Sequence, residues 1–360
     1  DPECAGNPNK VHSLLISTEY RLHHMAASGR IRVGAMRDAL AHSAGRAGRR
    51  DDGFRRVAAR LVLAASCAVS AWAVAAPIEV RAITIATPDG PATGYLGTVD
   101  LRAVEVVVSG GAPRGEDLPA KTNVLLEDTR TFAEREKTRL AINANYFGWL
   151  GKKTSGGPAE ILGACVSNGA VVSPARVFEG KPDPAVAFFS DPAGGVVAKV
   201  GRLGDGELRG AVAAVAGIGA SGTTPLQGSL LVTESKNTGD QARVDPDKRH
   251  PRTAIGASND GRTAYVVAID GRSQSSVGVT LPELAEYMIS IGAANAVNLD
   301  GGGSTAFVFA PEGESTLLTN QPSDGKFRPV AVNLGFRPRE TTGHADRLSK
   351  PEATPAEAGR

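Results

Sequence analysis

Tyr265-Val-Val-Ala-Ile-Asp270-Gly271, Leu281-Pro-Glu-Leu-Ala-Glu-Tyr-Met-Ile-Ser-Ile291 and Ala296-Val-Asn-Leu-Asp300 decide how this chain is read. The first and third are short apolar runs rich in β-branched residues, each ending in Asp-Gly, and both read as strands. The middle run places Leu281, Leu284, Ala285, Met288 and Ile289 on one helical stripe. Thr280 and Glu283 have capping-box spacing before it, and Gly292 is a stop after it. A strand, a helix and a strand in this order predict two parallel strands in one sheet, with their carboxyl ends on one edge. Open α/β sheets bind ligands at such edges. Asp270 and Asp300 are therefore expected on neighbouring strands, facing one crevice. A lone Asp-Gly is a turn signal, but two at matched strand ends point to a site.

Working outward, Asn259-Asp260-Gly261 lies between two alternating apolar runs, over 253–258 and 263–269, and predicts a hairpin. Earlier strands are read over 78–85 and 103–109, a helix over 131–137, and a strand over 140–147 that carries Asn143 and Asn145. The expected architecture is a single α+β domain over 76–338, with a mixed β-sheet containing the β-α-β unit and hairpins.

The ends read differently. Residues 61–76, LVLAASCAVSAWAVAA, carry no charge and follow Arg55, Arg56 and Arg60. That is a signal-peptide pattern over 54–75, with cleavage expected after Ala75 in Ala73-Val74-Ala75. The apolar run is shorter than the ~20 residues a membrane-spanning helix needs. The reading is an exported protein, periplasmic or secreted, with no stable membrane span after cleavage. Residues 1–53 are read as a non-native or disordered upstream segment and 339–360 as a disordered tail.

The chain has a net charge of +2, but the first 76 residues hold 11 Lys+Arg against 6 Asp+Glu. The remainder carries 29 against 32, a net −3, so the folded part offers no basic excess for nucleic acid. Beyond residue 76 only Cys165, His250 and His344 remain. That count excludes a Cys/His zinc site, an iron–sulfur cluster and an intramolecular disulfide there. Proton transfer is left to carboxylates.

Asn298-Leu-Asp300-Gly301-Gly302-Gly303-Ser304-Thr305 has the composition of an anion or sugar cradle, since glycines let backbone N–H groups approach oxygens closely. It is no Walker loop and does not fit the dinucleotide fingerprint. Together with Ile142-Asn-Ala-Asn-Tyr-Phe147, Arg252-Thr-Ala-Ile-Gly256, Asp270-Gly271, Glu283 with Glu286, Pro322-Ser323 and Arg328-x-Val330, it resembles the phosphodiester glycosidase family over about 141–336. The resemblance implies cleavage of a sugar 1-phosphodiester, such as an N-acetylglucosamine 1-phosphodiester, at the C1–O bond. The products are free sugar and a phosphomonoester, and an exported enzyme of this kind would act on envelope or extracellular polysaccharide.

The residues suit that chemistry. Phosphate leaves as a stabilised anion and needs positive charge more than protonation. Arg252 and Arg328 are candidates for bidentate phosphate contacts. Asp300 and Asp270 are candidates for nucleophile and acid/base, and Asn143 and Asn298 for orienting sugar hydroxyls. Gly301, Gly302, Gly303 and Ser304 would line the substrate. Glu283 is explained by its cap and Glu286 by solvation. No cofactor is expected. Two alternatives remain open at this point: a non-catalytic polysaccharide-binding envelope module, and a phosphoesterase using a divalent cation on Asp270 and Asp300.

Overall fold

The computed structural model describes residues 76–339 apart from 112–117, 179, 218–229, 240–243 and 315. The predicted signal peptide and tail lie outside the described residues.

The architecture is predominantly β, which corrects the α+β expectation: among the described residues only two α-helices occur, Thr129–Glu136 and Leu281–Ser290. Three larger sheets carry the fold. The seven-stranded sheet runs in the order Ile78–Thr87, Gly90–Asp100, Thr263–Ile269, Arg252–Ala257, Asn295–Asn298, Val232–Thr233, Lys236–Asn237. A five-stranded sheet centres on Pro184–Ser190 and Ala213–Ala216, and a second on Leu140–Asn143 between Phe307–Phe309 and Asn333–Pro338. A small three-stranded sheet has Phe147–Trp149 at its edge.

The helix Leu281–Ser290 does cross between the two Asp-bearing strands, but they are not neighbours. Arg252–Ala257 lies between them and pairs antiparallel with both. The cause is the tight turn at Asn259-Asp260-Gly261. Gly261 has φ +69°, and Asp260 Oδ1 accepts from Ser258 Oγ at 2.6 Å and from the Arg262 amide at 3.1 Å. The turn pairs Thr263–Ile269 with the strand just before it in sequence, and the helix crosses over that strand to reach its other side. The strands before Asp270 and Asp300 still run in the same direction, and both end at the edge where Arg252–Ala257 begins.

Alternation along these strands explains the layering. Ile255, Val266, Ala268 and Val297 face a core shared with the two five-stranded sheets through Ile142, Phe188, Phe307 and Phe336. Ala254, Val267, Ile269 and Ala296 face the other way, onto Leu281, Leu284, Ala285 and Met288 of the helix. Each fully buried Val, Leu, Ile, Phe or Met among them contributes roughly 1.5–3 kcal/mol. Cys165 is buried and free, and burial pushes its thiol up to about 12, the behaviour of a small hydrophobe.

The predicted helix start is observed. The Thr280 side chain accepts from the Glu283 amide, and the Glu283 carboxylate accepts from the Thr280 amide at 3.0 Å. Glu283 also pairs with Arg249. Thr280→Ala is expected to cost ~0.5–2 kcal/mol in denaturant unfolding through cap loss. Activity should be intact in the folded fraction, because Thr280 lies outside the site; a loss of turnover without destabilisation would assign it another role.

Candidate active site

Arg252 pairs with Ile269 on one side, and Ala254 pairs with Asn298 on the other. Asp270 and Asp300 therefore emerge at one sheet edge, on either side of the Arg252 strand. Each carboxylate is fixed by its own partners. Asp270 Oδ1 accepts from Asn320 Nδ2 at 2.9 Å and from the Gln321 amide at 3.1 Å. Asn320 in turn accepts from the Phe307 amide and donates to the Thr305 carbonyl, which ties Asp270 to the segment after the triple glycine. Burial raises the Asp270 pKa against those two hydrogen bonds.

Asp300 is anchored through its backbone: its amide donates to the Ala144 carbonyl at 2.9 Å and its carbonyl accepts from Asn143 Nδ2 at 2.6 Å. Its Oδ1 accepts from the Gly301 amide at 3.0 Å. Burial pushes the carboxyl up to about 6, opposed by the Ser304 hydroxyl, the Gly301 amide and the charge of Arg328. Tyr146 lies close by. Burial and the Asp300 charge raise its pKa, so it is a neutral phenol, and its hydroxyl accepts from Asn298 Nδ2 at 3.2 Å.

The triple glycine provides space for guanidinium groups. A Cβ on Gly303 would lie 1.9 Å from an Arg328 guanidinium nitrogen, and one on Gly302 would lie 3.2 Å from an Arg272 nitrogen. Gly302 also has φ +60°, a backbone conformation that favours glycine. The turn is therefore flanked by two arginines immediately after Asp300. Arg328 donates twice to Asp324 Oδ2, at 3.0 and 2.6 Å, and once to Ser304 Oγ at 3.4 Å. Arg272 donates to His250 Nδ1 at 3.3 Å. Burial and the nearby Arg252 and Arg272 lower the His250 pKa, which keeps that nitrogen available as an acceptor.

Several roles expected from the sequence change. The amides of Gly301, Gly302 and Ser304 donate to Asp300 Oδ1, the Pro251 carbonyl and the Gly301 carbonyl, so the turn is not an open nest of N–H groups. Arg252 is buried and donates to the carbonyls of Val244, Asp245, Lys248 and Val279. It clamps the loop that leads into its strand instead of facing a substrate, since a buried fork of donors is satisfied best by convergent carbonyls. Asn143 is fully buried, and its Oδ1 accepts from Thr253 Oγ1 and the Ala306 amide. Its side chain is taken up by these contacts and by the Asp300 carbonyl. Asn298 donates to Tyr146 and to the Leu299 carbonyl, while its Oδ1 is buried without a partner.

Asp300, Ser304 and Arg328 are brought together around the turn, while Asp270 reaches the same sheet edge and is tied to Asn320 and Gln321. Arg272 and Tyr146 were not singled out from the sequence. A signal for Arg272 was present, since it directly follows Asp270-Gly271 at the same strand end; Tyr146 lay inside the Ile142–Phe147 motif but was given no role. Among the described residues, no group of three or more His, Cys, Asp or Glu could hold a metal ion. A cavity of about 580 Å³ opens elsewhere, bordered by Glu105, Arg135, Asn168 and Arg337, and includes none of these site residues.

The sequence profile of the phosphodiester glycosidase family matches residues 136–337, which span the whole arrangement from Asn143 to Arg328. The chain belongs to the phosphodiester glycosidase family. It is 31% identical over 210 residues to the SPbeta prophage-derived uncharacterized protein YomE of Bacillus subtilis (strain 168), covering 58% of this chain and 29% of that one. It is 40% identical over 73 residues to the N-acetylglucosamine-1-phosphodiester alpha-N-acetylglucosaminidase of Homo sapiens, covering 20% and 13%. The chain thus spans less than a third of the length of these curated relatives. Its fold is shared with the catalytic domain of the zebrafish enzyme of that name, auto-inhibited by its pro-peptide, with TM-score 0.52 and 21% identity over 74% of this chain and 85% of that one. A Burkholderia pseudomallei K96243 protein aligns with TM-score 0.51 and 19% identity, over 70% and 75%.

Proposed function

We propose that this protein hydrolyses a sugar 1-phosphodiester at the C1–O bond, giving free sugar and a phosphomonoester. The observation that carries the reading is the pair of guanidinium groups, Arg272 and Arg328, held over the glycine turn that follows Asp300. When the bond between C1 and the phosphate oxygen breaks, its electron pair stays with the phosphate. Two fixed cations at that point favour the charge as it develops, with little reorganisation. The departing anion needs little help from an acid, so the carboxylate chemistry concentrates on the sugar. Asp300, next to the arginines, works in its deprotonated form at C1, where a hydroxyl from water finally replaces the phosphate. Asp270, held by Asn320 and Gln321, is the second carboxylate of the same edge. Asn143 and Ser304 hold Asp300 in place.

The natural substrate on this reading is an envelope or extracellular polysaccharide bearing such a linkage. Export is supported by Arg55, Arg56 and Arg60 followed by the apolar run over 61–76, with Ala73-Val74-Ala75 as its cleavage motif. No helix among the described residues is long and apolar enough to cross a membrane. Hydrolysis of a panel of sugar 1-phosphodiesters in ¹⁸O-labelled water tests the reaction. Label is expected in the sugar; label in the phosphate would mean P–O cleavage and would replace the glycosidase with a phosphoesterase.

A further inference from the structure

Resting on that reading, we propose that Trp149, Lys153 and Arg328 form a leaving-group subsite, one that takes a sugar carrying a second anionic group beyond the scissile phosphate. Trp149 ends the edge strand Phe147–Trp149 and is 39% exposed, which leaves part of its ring open to a ligand. Its ring is braced: Phe147 meets it edge-on, with centroids 5.2 Å apart and planes at 77°. Two cations lie against it, Lys153 Nζ at 4.3 Å and the Arg328 guanidinium carbon at 5.9 Å from the ring centroid. Lys153 is carried on a turn tied down by the Gly157 amide to the Thr154 carbonyl and by the Gly156 amide to the Leu126 carbonyl.

Arg328 links this platform to the reaction centre, since the same guanidinium reaches Ser304 beside Asp300. A phosphate on Arg328 with its C1 toward Asp300 directs its other ester oxygen toward Trp149. A pyranose there can lay its C–H face against the exposed part of the indole, beside Lys153. Lys153, held over the indole ring, then stands beyond the first phosphate, where a second anionic group on the leaving sugar would meet its charge. The chemistry fits an acidic glycan, with a further phosphate or carboxylate on the leaving sugar.

The test uses the full chain and three substrates that share one glycosyl 1-phosphate: a methyl ester, a hexosyl ester, and the same hexosyl ester bearing a second phosphate. The wild type is expected to show KM falling in that order, by at least tenfold between the first and last. In Trp149→Ala the ratio of methyl to hexosyl KM collapses toward one, while Trp149→Phe, which keeps an aromatic face, retains part of it. Lys153→Gln removes only the advantage of the second phosphate.

Binding is read separately from turnover. The sequence has two tryptophans, so Trp72→Phe leaves Trp149 as the sole tryptophan, excited selectively at the red edge of the absorption band. Its fluorescence should respond to a hexose bisphosphate at concentrations at least tenfold below those needed with the free hexose. Equal KM across the three substrates in the wild type, or no fluorescence response, overturns the subsite while leaving the glycosidase reading intact. A fluorescence response in a protein that turns over none of the three overturns the glycosidase reading and keeps the subsite.

Discussion

Asp300→Asn is expected to lower turnover of a sugar 1-phosphodiester by about 10²–10⁴-fold while making the folded protein more stable at neutral pH. The side chain keeps its shape, and the Asn oxygen still accepts from the Gly301 amide, so the turn is not disturbed. What is lost is charge and basicity at C1. The stability change follows from the carboxyl being held at about 6 by burial. A pKa raised in the folded state means that the native protein binds the proton more tightly than the unfolded chain. The wild type therefore loses stability as pH rises from about 4 through 6, by up to about 3 kcal/mol for one fully formed shift. Asn carries no such cost, so Tm of the variant should exceed the wild type at pH 7 and match it near pH 4. The same group sets the direction of the pH profile. Acting as a carboxylate, Asp300 makes wild-type kcat/KM fall as pH drops through about 6. A fall above pH 6 would instead assign it the acid role. Near-full turnover in folded Asp300→Asn would remove the catalytic assignment and favour a binding module.

What could be read in the sequence was local. The hairpin at Asn259-Asp260-Gly261, the Thr280 capping box and the helical stripe from Leu281 were legible because each is decided by residues within a few positions of one another. The common edge of Asp270 and Asp300 was legible for the same reason, since direction along a strand and the hand of a crossover need no distant information. Which strand lay between them was not legible. Arg252–Ala257 lies between them because it pairs with Thr263–Ile269 through a local turn and with Asn295–Asn298 across some forty residues, and the second pairing has no local signal. The predominance of β structure was missed because many strands are only two to four residues long, such as Val124–Leu125 and Leu318–Thr319, and leave no periodicity to count. Residue identity also misled where a polar group has two uses. Arg252 and Asn143 sit at the site edge, yet their donors and acceptors are taken up by backbone and neighbouring side chains, and nothing in a sequence distinguishes a buried clamp from an open ligand. The glycines are the converse case: what they make room for is Arg272 and Arg328, which their spacing did not reveal.

Arg328→Lys and Arg272→Lys should each lower kcat/KM on phosphodiesters by about 10²–10³-fold, with much smaller losses on any neutral aryl glycoside the enzyme accepts. Lysine keeps the positive charge but loses the planar fork, so geometry is what each variant removes. For Arg328 that geometry is built in on both sides: two donors are locked to Asp324 Oδ2, which turns another toward Ser304. An ammonium on a flexible stem can satisfy Asp324 or a phosphate, but not hold one while presenting to the other. For Arg272 the brace is His250, and a lysine amine reaching that ring would have one point of attachment instead of an oriented plane. Gly303→Ala reaches the same end without touching a charge, because its methyl would occupy the position of the Arg328 guanidinium, 1.9 Å from one of its nitrogens. All three variants should therefore share one signature, a loss that scales with the charge on the leaving group, and that is read from the ratio of kcat/KM on phosphodiester and aryl substrates. A uniform loss on both substrate classes would mean that the arginines shape the site as a whole, and the phosphate would have to be held elsewhere. Equal retention on both would leave the glycine turn without the role that its two guanidinium neighbours give it.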